Sequence, residues 1–120
     1  MEIEELEKIL SLHPFLPKPK YIVEVDELLF ASIENYIAIV KGATPKWRRD
    51  MIVVTPLSDH ETVVHEVIHT LGFGELAAEI GGRVLSRLRN IIPPIVNKNV
   101  SYELYDQPHP KVKVYRIKNE

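Results

Sequence analysis

The sequence predicts an α+β fold: a small mixed sheet packed on an N-terminal helix, on a helix with a His-Glu-x-x-His pattern, and on a following helix that begins with glutamate. Three observations predict it. The chain starts with an amphipathic segment, continues with short β-branched runs, and then has two helix-like segments on either side of a glycine-containing turn. Its 120 residues suffice for one core, so we expect a single domain over residues 1–120.

Residues 2–12 are predicted to form a short amphipathic helix. Apolar side chains recur at helical spacing on one face, and the acidic side chains lie mostly on the other. These apolar side chains are Ile3, Leu6, Ile9 and Leu10. The prolines that follow end the helix and impose an extended link.

Three strands are predicted next, at Tyr21–Val25, Tyr36–Val40 and Met51–Val54. Each run is rich in β-branched or aromatic residues and is bounded by polar residues, glycine or proline. Residues 26–35 fit either a strand continuation or one helical turn, and the sequence does not decide between these two structures.

A helix is predicted from about Asp59 to about Leu71. Ser58 followed three positions later by Glu61 fits a capping box, in which each side chain bonds a backbone amide at the helix start. Gly72 then ends the helix.

A further helix is predicted over residues 74–92, where paired prolines end it. Gly81 and Gly82 lie inside this helix, although each glycine there costs about 1 kcal/mol relative to alanine. Close packing against the preceding helix is the preferred explanation for them, and a local break in the helix is the alternative.

Composition narrows the classes of function. Fifteen lysines and arginines against 17 acidic residues give a formal charge of −2, which offers no overall attraction to nucleic acid or anionic lipid. No apolar run approaches the roughly 20 residues of a membrane span, and the acidic N-terminus is unlike a secretion signal. We therefore expect a cytoplasmic protein with neither a nucleic-acid partner nor a membrane span. Because cysteine is absent, any metal must be held by histidines and carboxylates.

The most informative segment contains His65, Glu66 and His69 in a His-Glu-x-x-His pattern. Side chains four residues apart on a helix lie nearly above one another, so both imidazoles can reach one cation from the same side. Glu66 points about 100° away from His65, beside the metal rather than onto it. From there it can accept a proton from water activated by the metal.

The apolar residues of this helix fill one contiguous arc, and the His-Glu-x-x-His residues fill the neighbouring one. The arc comprises Val63, Val64, Val67, Ile68 and Leu71. This separation favours a metal site over two histidines with ordinary hydrogen-bond partners, which is the simpler alternative.

A catalytic zinc takes three protein ligands and a water, so a third ligand is needed. The candidates are Glu75, Glu79, His60 and His109. Glu75 is preferred because a short turn must bring the start of the next helix against the end of the previous one. Glu79 is expected to accept a hydrogen bond from the outer nitrogen of a ligand histidine. Alternatively, both acids simply favour a helix start, with Glu79 paired to Arg83.

The stretch Glu-Leu-Ala-Ala-Glu-Ile-Gly-Gly-Arg-Val-Leu that begins at Glu75 resembles the glutamate-helix motif of gluzincin metallopeptidases. It is nearest to the CaaX-processing and HtpX-like group, which normally has aspartate where this chain has Glu79. That group places a long insertion between the two motifs, whereas only five residues separate His69 from Glu75 here. This abbreviation resembles the minigluzincins, which are soluble proteins of similar size.

The resemblance implies a zinc metalloendopeptidase that is a monomer or a homodimer. His65, His69 and Glu75 would hold Zn²⁺, and Glu66 would be the general base. A peptide or an unfolded protein would be the substrate. The strand Met51–Val54, or its neighbour, would offer an edge to the extended substrate.

The resemblance also suggests latency through the C-terminal tail, residues 97–120. A strand is predicted at residues 111–117, after an extended segment that contains His109. One hypothesis is that the tail covers the cleft and brings His109 near the metal. The other is an ordinary surface tail with an edge strand.

Three other interpretations share the motif. Metzincins place a histidine where Glu75 stands and need a later methionine, but the chain has none after Met51. YbeY-like metal-dependent endoribonucleases also need a histidine at position 75. A non-catalytic zinc-binding module would hold a saturated site, with His109 as a candidate fourth ligand, and would have no use for Glu66 beside the metal.

Overall fold

The structure is a computed structural model that describes residues 1–13, 15–33, 36–45, 48–88 and 100–118. In these ranges the chain forms three helices, a five-stranded mixed sheet and a separate two-stranded sheet. The predicted α+β fold class is therefore confirmed.

The elements follow the predicted order along the chain. They are α1 (Ile3–Ser11), β1 (Tyr21–Val25), β2 (Leu29–Ile33), β3 (Tyr36–Val40), β4 (Gly42–Ala43), β5 (Met51–Val54), α2 (His60–Thr70), α3 (Glu75–Leu88), β6 (Tyr102–His109) and β7 (Val112–Ile117). The predicted strands β1, β3 and β5 are confirmed, as are α1 and α2. The undecided stretch 26–35 supplies β2, and the predicted end of α3 near residue 92 lies outside the described residues.

The five-stranded sheet has the order β4-β5-β1-β7-β6. Strands β1 and β5 run parallel, and the other pairs are antiparallel. The tail therefore enters the sheet as the β6–β7 hairpin, with β7 paired to β1. Strand β5 is paired on both sides at Val53 and Val54, so its neighbour β4 forms the edge of the sheet.

The main core lies between α1, one face of α2 and the sheet. It consists of Leu6, Ile9, Leu10, Ile22, Ile52, Val54, Val63, Val67 and Tyr102. Burying a side chain of this size contributes about 1.5–3 kcal/mol, so these contacts fix α2 on the sheet. Strands β2 and β3 pair with each other as a separate antiparallel ribbon.

Helix α2 begins with a cap from Asp59, whose Oδ1 accepts a 2.8 Å hydrogen bond from the amide of Thr62. The capping-box prediction for Ser58 is therefore wrong. The Ser58 hydroxyl instead accepts from the amide of Thr55 at 2.9 Å and donates to the carbonyl oxygen of Lys41. These bonds tie the end of β3 to the start of α2.

Helix α3 packs closely on α2 through its two interior glycines. A Cβ at Gly82 would lie 3.1 Å from the carbonyl oxygen of Glu61 and 3.3 Å from Cβ of His65, and a Cβ at Gly81 would collide with the end of the Ile68 side chain. This confirms the predicted close packing of α3 on α2, which is tightest against backbone at Gly82. Because the contact is made at the backbone of His65, it sets how far α3 lies from the His-Glu-x-x-His residues.

None of the helices within the described ranges has both the length and the apolar character needed to cross a membrane.

Candidate metal centre

Helix α2 presents three faces to three different surroundings. Val63 and Val67 point into the main core, and Val64 and Ile68 pack on Ala78 of α3. Successive residues turn by about 100°, so the histidines and Glu66 occupy the remaining face. The pattern of valines and isoleucine in the sequence thus leaves the two histidines and Glu66 on the side of the helix away from these apolar contacts.

The two histidines of the motif converge on one point. The Nε2 atoms of His65 and His69 lie 3.1 Å apart, and their ring centroids are 4.8 Å apart. Each side chain retains 20% of its exposure, so the pair is partly open to solvent. This is the geometry that a spacing of four residues predicts.

Glu75, the first residue of α3, reaches both imidazoles. Its Oε1 lies 2.9 Å from Nε2 of His65, and its Oε2 lies 3.0 Å from Nε2 of His69. The turn that makes this possible contains Gly72, whose φ of 90° is a left-handed conformation that favours glycine. The Glu75 side chain is 75% exposed, which leaves its outer side open to solvent.

The spacing of these three groups fits a zinc-sized cation. The two nitrogens and the Glu75 oxygens are 2.9–3.1 Å apart. In a tetrahedral site with bonds of about 2.0–2.1 Å, ligand atoms lie about 3.3–3.4 Å apart. An outward shift of a few tenths of an ångström, which side-chain rotation can supply, would give that spacing. The atoms are therefore arranged around one centre.

Glu66 lies on the other side of the histidines, near the edge strand β4. Its side chain is buried, with 7% exposure, and Thr44 Oγ1 donates a 2.8 Å hydrogen bond to its Oε1. Ligand atoms of His65, Glu66 and His69 all lie within 4.8 Å of one another, so these three residues could hold a metal ion. Glu75 approaches both nitrogens more closely, whereas Glu66 is held back by Thr44.

Burial raises the pKa of the Glu66 carboxyl above its ordinary value, because the charged form is poorly solvated there. The hydrogen bond from Thr44 and the nearby histidines oppose this effect and lower the pKa. A carboxyl with a raised pKa, fixed beside a pair of imidazoles, is suited to take up and release a proton.

A backbone carbonyl orients His69. Its Nδ1 lies 3.0 Å from the carbonyl oxygen of Phe73, which can only accept, so Nδ1 donates in this contact. The sequence assigned this kind of role to Glu79. In the structure Glu79 forms a 2.7 Å ion pair with Arg83, which also lies 3.6 Å from Glu61 on α2.

The structure brings neither of the other ligand candidates to the motif. His60 contacts His13 through their Nε2 atoms at 2.7 Å. His109 lies at the end of β6, where its Nδ1 accepts a hydrogen bond from the amide of Lys111 at 3.1 Å. Strand β6 forms the edge of the sheet opposite β4, whereas Thr44, just after β4, contacts Glu66. Hence the tail residue His109 stays outside the group.

Two contributors to the site had no usable signal in the sequence. Thr44 follows a strand of only two residues, and Phe73 acts through its backbone carbonyl. The close contact of Gly42 with α2 also had no signal in the sequence. A Cβ at this position would lie 2.8 Å from Cγ2 of Thr62 and 3.3 Å from Cγ of Glu66. Its lack of a side chain lets β4 lie against α2.

Comparisons of the chain with protein-family models, with curated proteins and with solved structures found no match. Function is therefore inferred from the geometry of the site and from the residue pattern that builds it.

Proposed function

We propose that this protein is a zinc-dependent metalloendopeptidase. In this proposal His65, His69 and Glu75 hold the metal, and Glu66 is the general base. The observation that carries it is the convergence of two imidazole Nε2 atoms and the Glu75 carboxylate within 2.9–3.1 Å of one another, beside a buried carboxyl.

The donor set favours zinc. Two imidazoles and one carboxylate, without cysteine, are a known ligand combination for catalytic Zn²⁺, which leaves a fourth position for water. The exposure of Glu75 supplies that open side. Zinc bound there would polarise a carbonyl group and lower the pKa of a bound water to about 7.

The chain's own residues would move the proton. Glu66 would accept a proton from the attacking water and pass it to the departing amine, since its raised pKa suits both transfers. Thr44 would hold one carboxylate oxygen and leave the other for this role. The proton on Nδ1 of His69 would remain on the Phe73 carbonyl and keep that ring in place.

A peptide or an unfolded protein is proposed as the substrate. The resemblance of the stretch from Glu75 to the gluzincin glutamate helix supports this substrate class, as does the position of β4. This edge strand lies against Glu66, so an extended peptide that added to it would pass the site.

One experiment separates this enzyme from a non-catalytic zinc module. Zinc content and hydrolysis of a denatured protein substrate would be measured for the wild type and for Glu66→Gln. We expect one zinc per chain in both proteins and a loss of hydrolysis of about 10²–10⁴-fold in the variant. Absence of zinc from the wild type, or unchanged hydrolysis in Glu66→Gln, would refute the proposal.

A further inference from the structure

Helix α3 is apolar on two sides. Its inner side packs on α2 through Ala78, which is buried, and Leu85, which is partly buried. Its outer side carries Leu76, Ile80 and Val84, which are 71%, 54% and 51% exposed. A helix with apolar residues on more than one side is normally covered on each of them. The outer side of α3 therefore has the character of a contact surface.

The three exposed residues form one continuous row. A spacing of four residues turns a helix by about 40°, so Leu76, Ile80 and Val84 follow one another along the same side over about 12 Å. Apolar residues that are exposed singly are normal on a protein surface, whereas a continuous apolar patch marks an interaction site. We call Leu76, Ile80 and Val84 the outer row of α3.

The charges of α3 are divided between its two ends. Glu75 lies in the first turn and Arg87 in the last turn, with Glu79 and Arg83 between them in the same order of sign. Two such helices packed in parallel would place acid beside acid and base beside base. An antiparallel pair instead places the acidic end of each helix beside the basic end of the other, and it also aligns the helix dipoles favourably.

A membrane surface fits the outer row less well. Helices that lie in a membrane interface are rich in lysine and arginine on their polar side. In α3 the positive charges of Arg83 and Arg87 are balanced by the negative charges of Glu75 and Glu79. The helix therefore offers no net attraction to anionic lipid. Its charge pattern is complementary to a second, reversed copy of itself.

We propose that this chain forms a symmetric dimer in which the outer rows of two α3 helices pack antiparallel. The two-fold axis passes beside Ile80, which contacts the same residue of the second copy. Leu76 then packs on Val84 of the partner subunit, since both lie four residues from Ile80. Two-fold symmetry requires a self-complementary surface of this kind. Glu75 lies about 100° around the helix from Leu76, so the proposed metal ligand stays outside the contact.

Sedimentation equilibrium of the full chain tests the dimer. The wild type should be dimeric at high concentration and dissociate on dilution. Ile80→Glu sets two like charges against each other at the axis and should weaken the dimer by at least about 30-fold. The matched control is Ile37→Glu on β3, because Ile37 is 73% exposed and lies outside α3. This control should leave the dissociation constant unchanged, and circular dichroism checks that both variants keep the fold.

The absence of cysteine from the sequence allows a direct test of orientation. Ile80→Cys places a thiol beside its own copy at the axis, so mild oxidation should link the two chains. Leu76→Cys and Val84→Cys each place the thiol about 12 Å along the helix from its copy. A disulfide spans no more than roughly 7 Å between Cα atoms, so neither variant should link to itself. A mixture of these two variants should link.

Three results would overturn the dimer. The first is a wild type that stays monomeric at every concentration. The second is a dimer that Ile80→Glu weakens no more than Ile37→Glu does, which would place the contact on another surface. The third is self-linking of Leu76→Cys and Val84→Cys as fast as that of Ile80→Cys, which would indicate parallel or non-specific pairing. None of these measurements uses zinc or hydrolysis, so their outcome is separate from that of the proposed peptidase activity.

Discussion

Thr44 Oγ1 lies 2.8 Å from Oε1 of Glu66 and 3.0 Å from the carbonyl oxygen of the same residue. One hydroxyl at the end of the edge strand thus contacts both the side chain and the backbone of the proposed general base. Because Glu66 is buried, this bond fixes the direction in which its free oxygen points. The residue that follows the edge strand is therefore hydrogen-bonded to the proposed general base.

Replacing Thr44 with valine removes the hydroxyl while keeping the shape of the side chain. The hydrogen bond lowers the pKa of Glu66, so its loss should raise that pKa further and move the acidic limb of the pH–activity profile upward. The zinc content should stay unchanged. Thr44→Ser retains the hydroxyl and is the matched control. An acidic limb in the same position for wild type and Thr44→Val would contradict the role given to Thr44.

Zinc binding should distinguish the two acids at the start of α3. His65→Ala, His69→Ala and Glu75→Gln should each lower the zinc content of dialysed protein, because each removes one of three converging ligands. Glu79→Gln is the matched control on the same helix, since Glu79 pairs with Arg83, and it should keep its zinc. Metal analysis after dialysis against a weak chelator gives the result. Zinc loss in Glu79→Gln but not in Glu75→Gln would reverse the assignment.

Gly82→Ala should disturb the proposed metal site indirectly, by changing how α3 packs on α2. Its Cβ would lie 3.1 Å from the Glu61 carbonyl oxygen and 3.3 Å from Cβ of His65, so α3 must move away from α2. Such overpacking typically costs about 1–3 kcal/mol, and the better helix propensity of alanine returns about 1 kcal/mol. We expect lower stability in urea and weaker zinc binding.

The control for Gly82→Ala is Gly74→Ser. A side chain at Gly74 meets nothing within 4 Å, and serine is favoured before a helix. This substitution should leave the stability and the zinc affinity unchanged or slightly raised. Equal effects of the two substitutions would show that the packing at Gly82 does not position the ligands.

Local patterns in the sequence were sufficient for α2 and its histidines. The valines at 63, 64 and 67 fix which face is buried, and a spacing of four residues then brings His65 and His69 together whatever the rest of the fold does. The position of Glu75 beside the histidines was also predictable, because a turn of four residues leaves the start of α3 few places to lie.

Contacts across the fold were not predictable in the same way. Thr44 reaches Glu66 from 22 residues away, and the His13–His60 pair spans 47. Nothing in the sequence encodes such pairings locally. Likewise, the Phe73 carbonyl carries no side-chain signal. Either Ser58 or Asp59 could cap α2, and Asp59 does so because the Ser58 hydroxyl donates to the carbonyl oxygen of Lys41. This contact forms only in the folded chain, where Lys41 follows β3.

The buried Glu66 should give the metal-free protein a characteristic pH dependence of stability. Its pKa is raised in the folded chain above the ordinary 4.5, so the folded state holds this proton to a higher pH than the unfolded state does. The stabilisation associated with the neutral acid is complete below pH 4.5 and is lost as the pH rises through the folded pKa. Glu66→Gln mimics the neutral acid and retains an acceptor for Thr44.

In EDTA, Glu66→Gln should therefore match the wild type at pH 4 and become progressively more stable than it as the pH rises to 8. Urea midpoints measured across this range give the difference. Glu5→Gln, an exposed acid on α1, is the control and should show no such growing difference. A difference that shrinks with rising pH would mean that the folded chain favours the ionised carboxylate, in which case the hydrogen bond and the imidazoles outweigh burial.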